Sequence, residues 1–205
     1  MTNKGLVNRE LSGRLFVALL VMVIGQEAVA QTSLGVKGGL NLSDVVINNI
    51  IDPDAESDYH LKPGVHAGLY LNADFDERTG LGIELLYSDK GVNPITNIHL
   101  HYIAVPFLAR YRLRDNWVVE AGPELAYLFS AQSKYGNVNH IWDNKIDLGL
   151  DIGLQYSLSR LMMGLRLNAG VSSVIRNAMD SGGNRIKYQN RTLQLSMGYR
   201  LRQFD

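Results

Sequence analysis

From Ser33 onward the apolar residues of this chain return at every second position, in eight segments, rather than at the 3.6-residue spacing of a helix. That signature belongs to strands whose two faces meet different surroundings. In DLGLDIGLQY (147–156), Leu148, Leu150, Ile152, Leu154 and Tyr156 share one face, and Asp147, Gly149, Asp151, Gly153 and Gln155 share the other. The same sorting runs through 33–42, 65–74, 81–88, 102–113, 119–130, 161–171 and 193–202.

The connections carry a second regularity. Short links (75–80, 114–116, 157–160) alternate strictly with longer polar ones (43–64, 89–97, 131–144, 172–190). Together these features predict an all-β fold, an eight-stranded antiparallel up-and-down transmembrane β-barrel with short periplasmic turns and long outer loops. A soluble lipocalin-like barrel also has eight strands, but its apolar side chains point inward. Segment length favours the membrane form, since about 9 to 11 residues cross a bilayer at a tilt. So do the glycines, which fall mostly on the polar face, where a narrow lumen is crowded. In that orientation Lys37, Glu84, Arg110, Glu120, Glu124, Asp147, Asp151, Arg166 and Arg200 point into the lumen. An unpaired charge there costs on the order of several kcal/mol, so the mixture of signs predicts a paired network filling the interior.

The N-terminus reads as a secretion signal over residues 1–30. Lys4, Arg9 and Arg14 precede the ten-residue apolar run LFVALLVMVI, and Ala28-Val29-Ala30 supplies a small-x-small site with cleavage before Gln31. The run is short of the roughly 20 residues a spanning helix needs. Residues 31–205 are then the barrel domain. Lysine plus arginine equals aspartate plus glutamate over the whole chain, so no basic surplus invites nucleic acid. With no cysteine there is no lipid-modified thiol, disulfide or thiolate metal site.

The segments GVKGGLNLSDV (35–45), KPGVHAGLYLN (62–72), GLGIELLYSDKGV (80–92), YIAVPFLARYRL (102–113) and AGPELAYLF (121–129), with the glycine-spaced strand at 147–156, resemble the PorT-like outer-membrane beta-barrel family of Bacteroidetes. The resemblance covers essentially all of 31–205. It implies a small outer-membrane barrel; one member's part in protein secretion gives the family its name and does not transfer on fold alone. Two departures stand out. Ala104 occupies a position that is commonly acidic in the family, and Phe204 falls out of step with the outward set ending at Leu201, whereas outer-membrane assembly signals usually end on an outward aromatic.

Other motifs read more plainly. His99-x-His101 puts two imidazoles on one strand face, as a metal pair requires, but polar rim residues are the preferred reading. Ser88, Asp89 and His60 form a possible hydrolytic trio of the kind many loop residues would supply by chance. Tyr111, Trp117, Tyr127, Tyr156 and Tyr199 are compatible with interfacial girdles, though tyrosine is common in strands generally. Pro106, lacking a ladder donor, predicts a bulge in the fourth strand. VVINNII followed by DPDAESD reads as a first outer loop folding over the barrel mouth, with partner binding as the other reading. The expectation is therefore a non-enzymatic barrel without metal, cofactor or catalytic residues. Its partners are outer-membrane lipid, the outer-membrane assembly machinery and an unidentified protein, but not nucleic acid. An enzyme at the barrel rim and a soluble periplasmic or secreted ligand-binding barrel are the alternatives.

Overall fold

The computed structural model describes residues 31–48, 61–92, 98–139, 142, 144–173, 175, 183 and 187–204. Ala28 and Ala30, His60, and loop one beyond Asn48 lie outside the described residues. Among the described residues, eight long strands run β1 (Gln31–Asn48), β2 (Lys62–Asp74), β3 (Thr79–Val92), β4 (Ile98–Arg114), β5 (Trp117–Ser133), β6 (Ile146–Leu158), β7 (Leu161–Gly170) and β8 (Lys187–Phe204). Each pairs antiparallel with its sequence neighbours, and β1 pairs with β8, so the sheet closes with no free edge. A two-residue strand, Gly136–Asn137, folds back on the end of β5.

The alternation decides which way the sheet faces. Leu150 is 56% exposed while Asp151 beside it is 3% exposed, and Leu148, Ile152 and Leu154 share the outward face. A soluble barrel is thereby set aside, because its apolar face would be inside. Tyr111, Trp117 and Tyr199 are exposed near the short-turn end, where the Trp117 and Tyr156 rings meet at 4.9 Å; Tyr127 and Phe129 are exposed toward the long-loop end. In the β2–β3 turn, Asp76 accepts hydrogen bonds from the Thr79 hydroxyl (2.6 Å) and from the backbone N–H groups of Arg78 and Thr79 (2.7 Å each), which hold its carboxyl below the usual range.

The strands run further toward the long-loop end than the alternation indicates. Residues 43–48 of β1, predicted as loop, continue in ladder with 187–192 of β8, and β3 reaches Val92. Above the bilayer both faces of a strand can meet polar surroundings, so pairing continues after the apolar alternation has stopped.

Two backbone expectations are corrected. Pro106 makes no bulge: the β4–β5 register is the same at Pro106↔Glu124 and Ala109↔Ala121, and its shifts fall at His101/Tyr102 and Arg112/Arg114. Toward β3, the bridge partners skip Val105 and Pro106, so the missing N–H costs local pairing on that side instead of an inserted residue. Phe204 is not out of step. The β1–β8 register shifts where Leu34 faces Arg202 and Gly35 faces Arg200, leaving Leu201 as an extra residue. One inserted residue flips the parity of everything after it. Gln203 accordingly lines the interior cavity, and Phe204, 40% exposed, carries the Arg202 guanidinium 4.7 Å from its ring.

The interior has two zones. Polar side chains fill the middle. Toward the long-loop end, Leu86, Leu100, Tyr102, Ala104, Ala126, Leu128 and Ala131 form an apolar cluster that Trp142, from the β5–β6 connection, packs against. Ala104, where the resembled family carries an acid, is fully buried among these apolar neighbours, so the lost charge is matched by its surroundings.

Candidate functional site

The mid-height of the lumen is spanned by residues from alternate strands. On β3, Glu84 accepts two hydrogen bonds from the Arg166 guanidinium of β7 (Nη1–Oε2 and Nη2–Oε1, both 2.8 Å) and further ones from Lys37 of β1 (3.0 and 3.3 Å). Arg166 also donates through Nε to Glu120 of β5 at 2.9 Å and pairs with that carboxylate through Nη2. All four residues are at most 5% exposed. The bidentate fork on Glu84 is the geometry for which a planar guanidinium suits a carboxylate better than an ammonium does.

A second layer lies above the first. Lys90 donates to Glu124 (2.7 Å) and Asn168 (3.2 Å), and Asn168 bridges to Asp151 (2.7 Å), whose other oxygen is 3.8 Å from Arg166. Asp147 accepts from Ser172 (2.7 Å) and Asn190 (2.6 Å), and Asn190 reaches the Tyr102 hydroxyl. His66 joins Asn41 and Ser196 across the β1 side. Because the Asn41 amide nitrogen is engaged with Val65, Ser88 and Asp89, its oxygen faces His66, so Nδ1 carries the proton and Nε2 accepts from Ser196.

Of the nine charged residues expected in the lumen, Lys37, Glu84, Glu120, Glu124, Asp147, Asp151 and Arg166 sit in these two layers. Arg110 is at the short-turn end, bonded to Asp74 at 2.7 Å, with Arg112 on the other oxygen of the same carboxylate at 3.2 Å. Arg200 stands apart from the network. It lines a cavity of about 310 Å³ at the periplasmic mouth with Tyr70, Arg110 and Arg160, and donates to the Ser159 carbonyl. Lys90 is the principal omission from the expected set; the inward series Glu84, Leu86, Ser88 continues to it, although the apolar alternation stops at Ser88. Ser88 bonds Asn41 in the interior, whereas Asp89 faces the opposite way, toward His99 and His101, so the two are not brought together.

A closed eight-stranded sheet with an apolar exterior, aromatic residues at both ends and charges paired within defines a transmembrane barrel of the outer-membrane type. The chain belongs to the outer membrane protein beta-barrel domain family, which its residues 26–176 match, and it is an outer-membrane protein. Among solved structures it is similar to Ail, the attachment invasion locus protein of Yersinia pestis, at 14% identity over 84% of this chain and 99% of that one (TM-score 0.48). It is also similar to Neisserial surface protein A, at 12% identity over 83% and 99% (TM-score 0.49), and to the outer membrane protein OprG from Pseudomonas aeruginosa, at 14% identity over 84% and 96% (TM-score 0.39). No curated protein sequence matches the chain.

Proposed function

We propose that this protein is a non-enzymatic barrel with a closed lumen, acting through what it presents at its two ends to protein partners. The observation that carries the reading is the Arg166 clamp, which ties β3, β5 and β7 across the lumen. In an eight-stranded barrel the interior is only wide enough for side chains, and a cross-linked set of them leaves no continuous water path. The separation of Ser88 from Asp89 supports the absence of a hydrolytic centre at the rim. The quoted motifs support a place in the PorT-like family, and a secretion-related role rests on that family's name alone. The basic start, apolar run and Ala28-Val29-Ala30 motif support removal of residues 1–30, and an outward Phe204 supports insertion by the outer-membrane assembly machinery. Planar-bilayer recording of the purified protein tests the closed lumen: the expected result is a baseline without steady single-channel conductance. Reproducible open channels from the unaltered chain would overturn the reading.

A further inference from the structure

A different cluster stands on the outside of the barrel, at the long-loop end. Asp89 and His101 are directly opposed in the β3–β4 ladder, and His99 lies two residues beyond His101 on the same face. His99 Nδ1 is 3.0 Å from Asp89 Oδ2, and His101 Nδ1 is 3.9 Å from Asp89 Oδ1. The two imidazoles stack, with centroids 5.9 Å apart and planes 16° from parallel, and the three donor atoms lie within 4.8 Å of one another.

The hydrogen bonding of this cluster is in conflict. Lys62 Nζ is 2.7 Å from His99 Nδ1, the same nitrogen that touches the Asp89 carboxylate. A single ring nitrogen cannot both accept from an ammonium and donate to a carboxylate. If it is protonated, it faces Lys62 donor to donor; if it is not, it faces Asp89 lone pair to lone pair. A cation bound by the nitrogen and the carboxylate together removes the conflict, and the ammonium, 3.6 Å from Asp89 Oδ1, is already drawn to that position. At His101 the Tyr87 hydroxyl is 2.8 Å from Nδ1. As a donor there it holds the lone pair a metal would take, so binding through Nδ1 requires the hydroxyl to turn away.

We infer that Asp89, His99 and His101 form a binding site for a divalent transition-metal ion, Zn(II) by its donor set, with Lys62 as a built-in competitor. Two imidazole nitrogens and one carboxylate suit zinc and its neighbours in the series, whereas magnesium and calcium prefer oxygen alone. Donor atoms around a tetrahedral zinc are roughly 3.4 Å apart, given bonds of about 2.0–2.2 Å, and with Oδ1 as the carboxylate ligand the distances to His99 (3.2 Å) and His101 (3.9 Å) bracket that spacing. Three protein ligands leave one position open. The His99 side chain is 39% exposed, so that position faces outer water at the rim.

The test uses the tag-free mature protein in detergent micelles, titrated with Zn(II) by calorimetry and with Co(II) by visible absorption. One equivalent is expected to bind, with the intense absorption of tetrahedral cobalt. His99→Ala and His101→Ala should each weaken binding by at least about tenfold, as loss of a direct ligand exceeds the loss of the groups that merely orient one. Lys62→Met should tighten it. Heat-shifted gel mobility identifies folded variants, and the half-exposed His99 gives a substitution that leaves the barrel walls alone. Absence of a one-to-one site, or binding that survives both histidine substitutions in folded protein, overturns the inference.

Discussion

Arg166 concentrates the energetics of the lumen in one side chain. Its guanidinium is buried against Glu84 and Glu120, with Asp151 beyond, so removing it strands carboxylates in a place with little water. Breaking a buried pair from one side typically costs about 3–5 kcal/mol, because the remaining charge loses its partner but not its desolvation. Arg166→Met is therefore expected to lower stability by about that amount, read from equilibrium urea unfolding in lipid bilayers. Arg166→Lys should recover only part, since an ammonium cannot make the two-pronged contact to Glu84 while also holding Glu120. A loss under about 1 kcal/mol for the methionine variant would mean that the interior is wetter than its burial indicates.

At the level of the strand, the fold was readable because a bilayer punishes a misplaced face. Along β6, Leu148 to Leu154 had one admissible orientation once the outside was hydrocarbon, and the same constraint held for every strand within membrane thickness. Leu150→Arg is expected to cost about 2–4 kcal/mol if it sits near the midplane, measured by folding equilibrium into lipid vesicles. A neutral result there would contradict the outward face. Beyond the bilayer that constraint ends, and legibility ended with it: 43–48 of β1 and 187–192 of β8 pair through backbone bonds that their side chains do not announce. The bulge at Leu201 was hidden for a related reason. Parity is the only signal for it, and Arg202, Gln203 and Phe204 are too few to establish a new one. Lys90 was lost through the same truncation, while the charges at mid-strand, Glu84, Glu120 and Arg166, were legible because they interrupt an apolar run on every second residue. The apolar interior cluster was legible in part: Leu86, Tyr102 and Ala104 fall in the inward phase of their strands, whereas Leu100 lies outside the alternating segments and Trp142 in a connection.

For the molecule as a whole, the interior places two barriers: the Arg166 clamp at mid-height and, toward the long loops, the apolar cluster with Trp142, which shares its rungs with the Lys90–Asp147 layer. They resist ions for different reasons. The clamp occupies the lumen with side chains fixed by hydrogen bonds, whereas the apolar cluster offers a passing ion nothing to replace its hydration. Removing one should therefore leave the other in place. Glu84→Ala with Arg166→Ala is expected to give a less stable barrel that still shows no steady conductance in planar bilayers. Adding Tyr102→Ala and Trp142→Ala should open a small path. In that four-site variant the described mid-lumen residues retain Glu120, Glu124, Asp147 and Asp151 against Lys37 and Lys90, so the wall is acidic. A ring of carboxylates favours cations, and the reversal potential under a potassium chloride gradient should shift toward the potassium equilibrium value. Anion preference would show that the charges of the wall do not govern what enters it, and steady conductance in the two-site variant would show that the apolar cluster is no barrier.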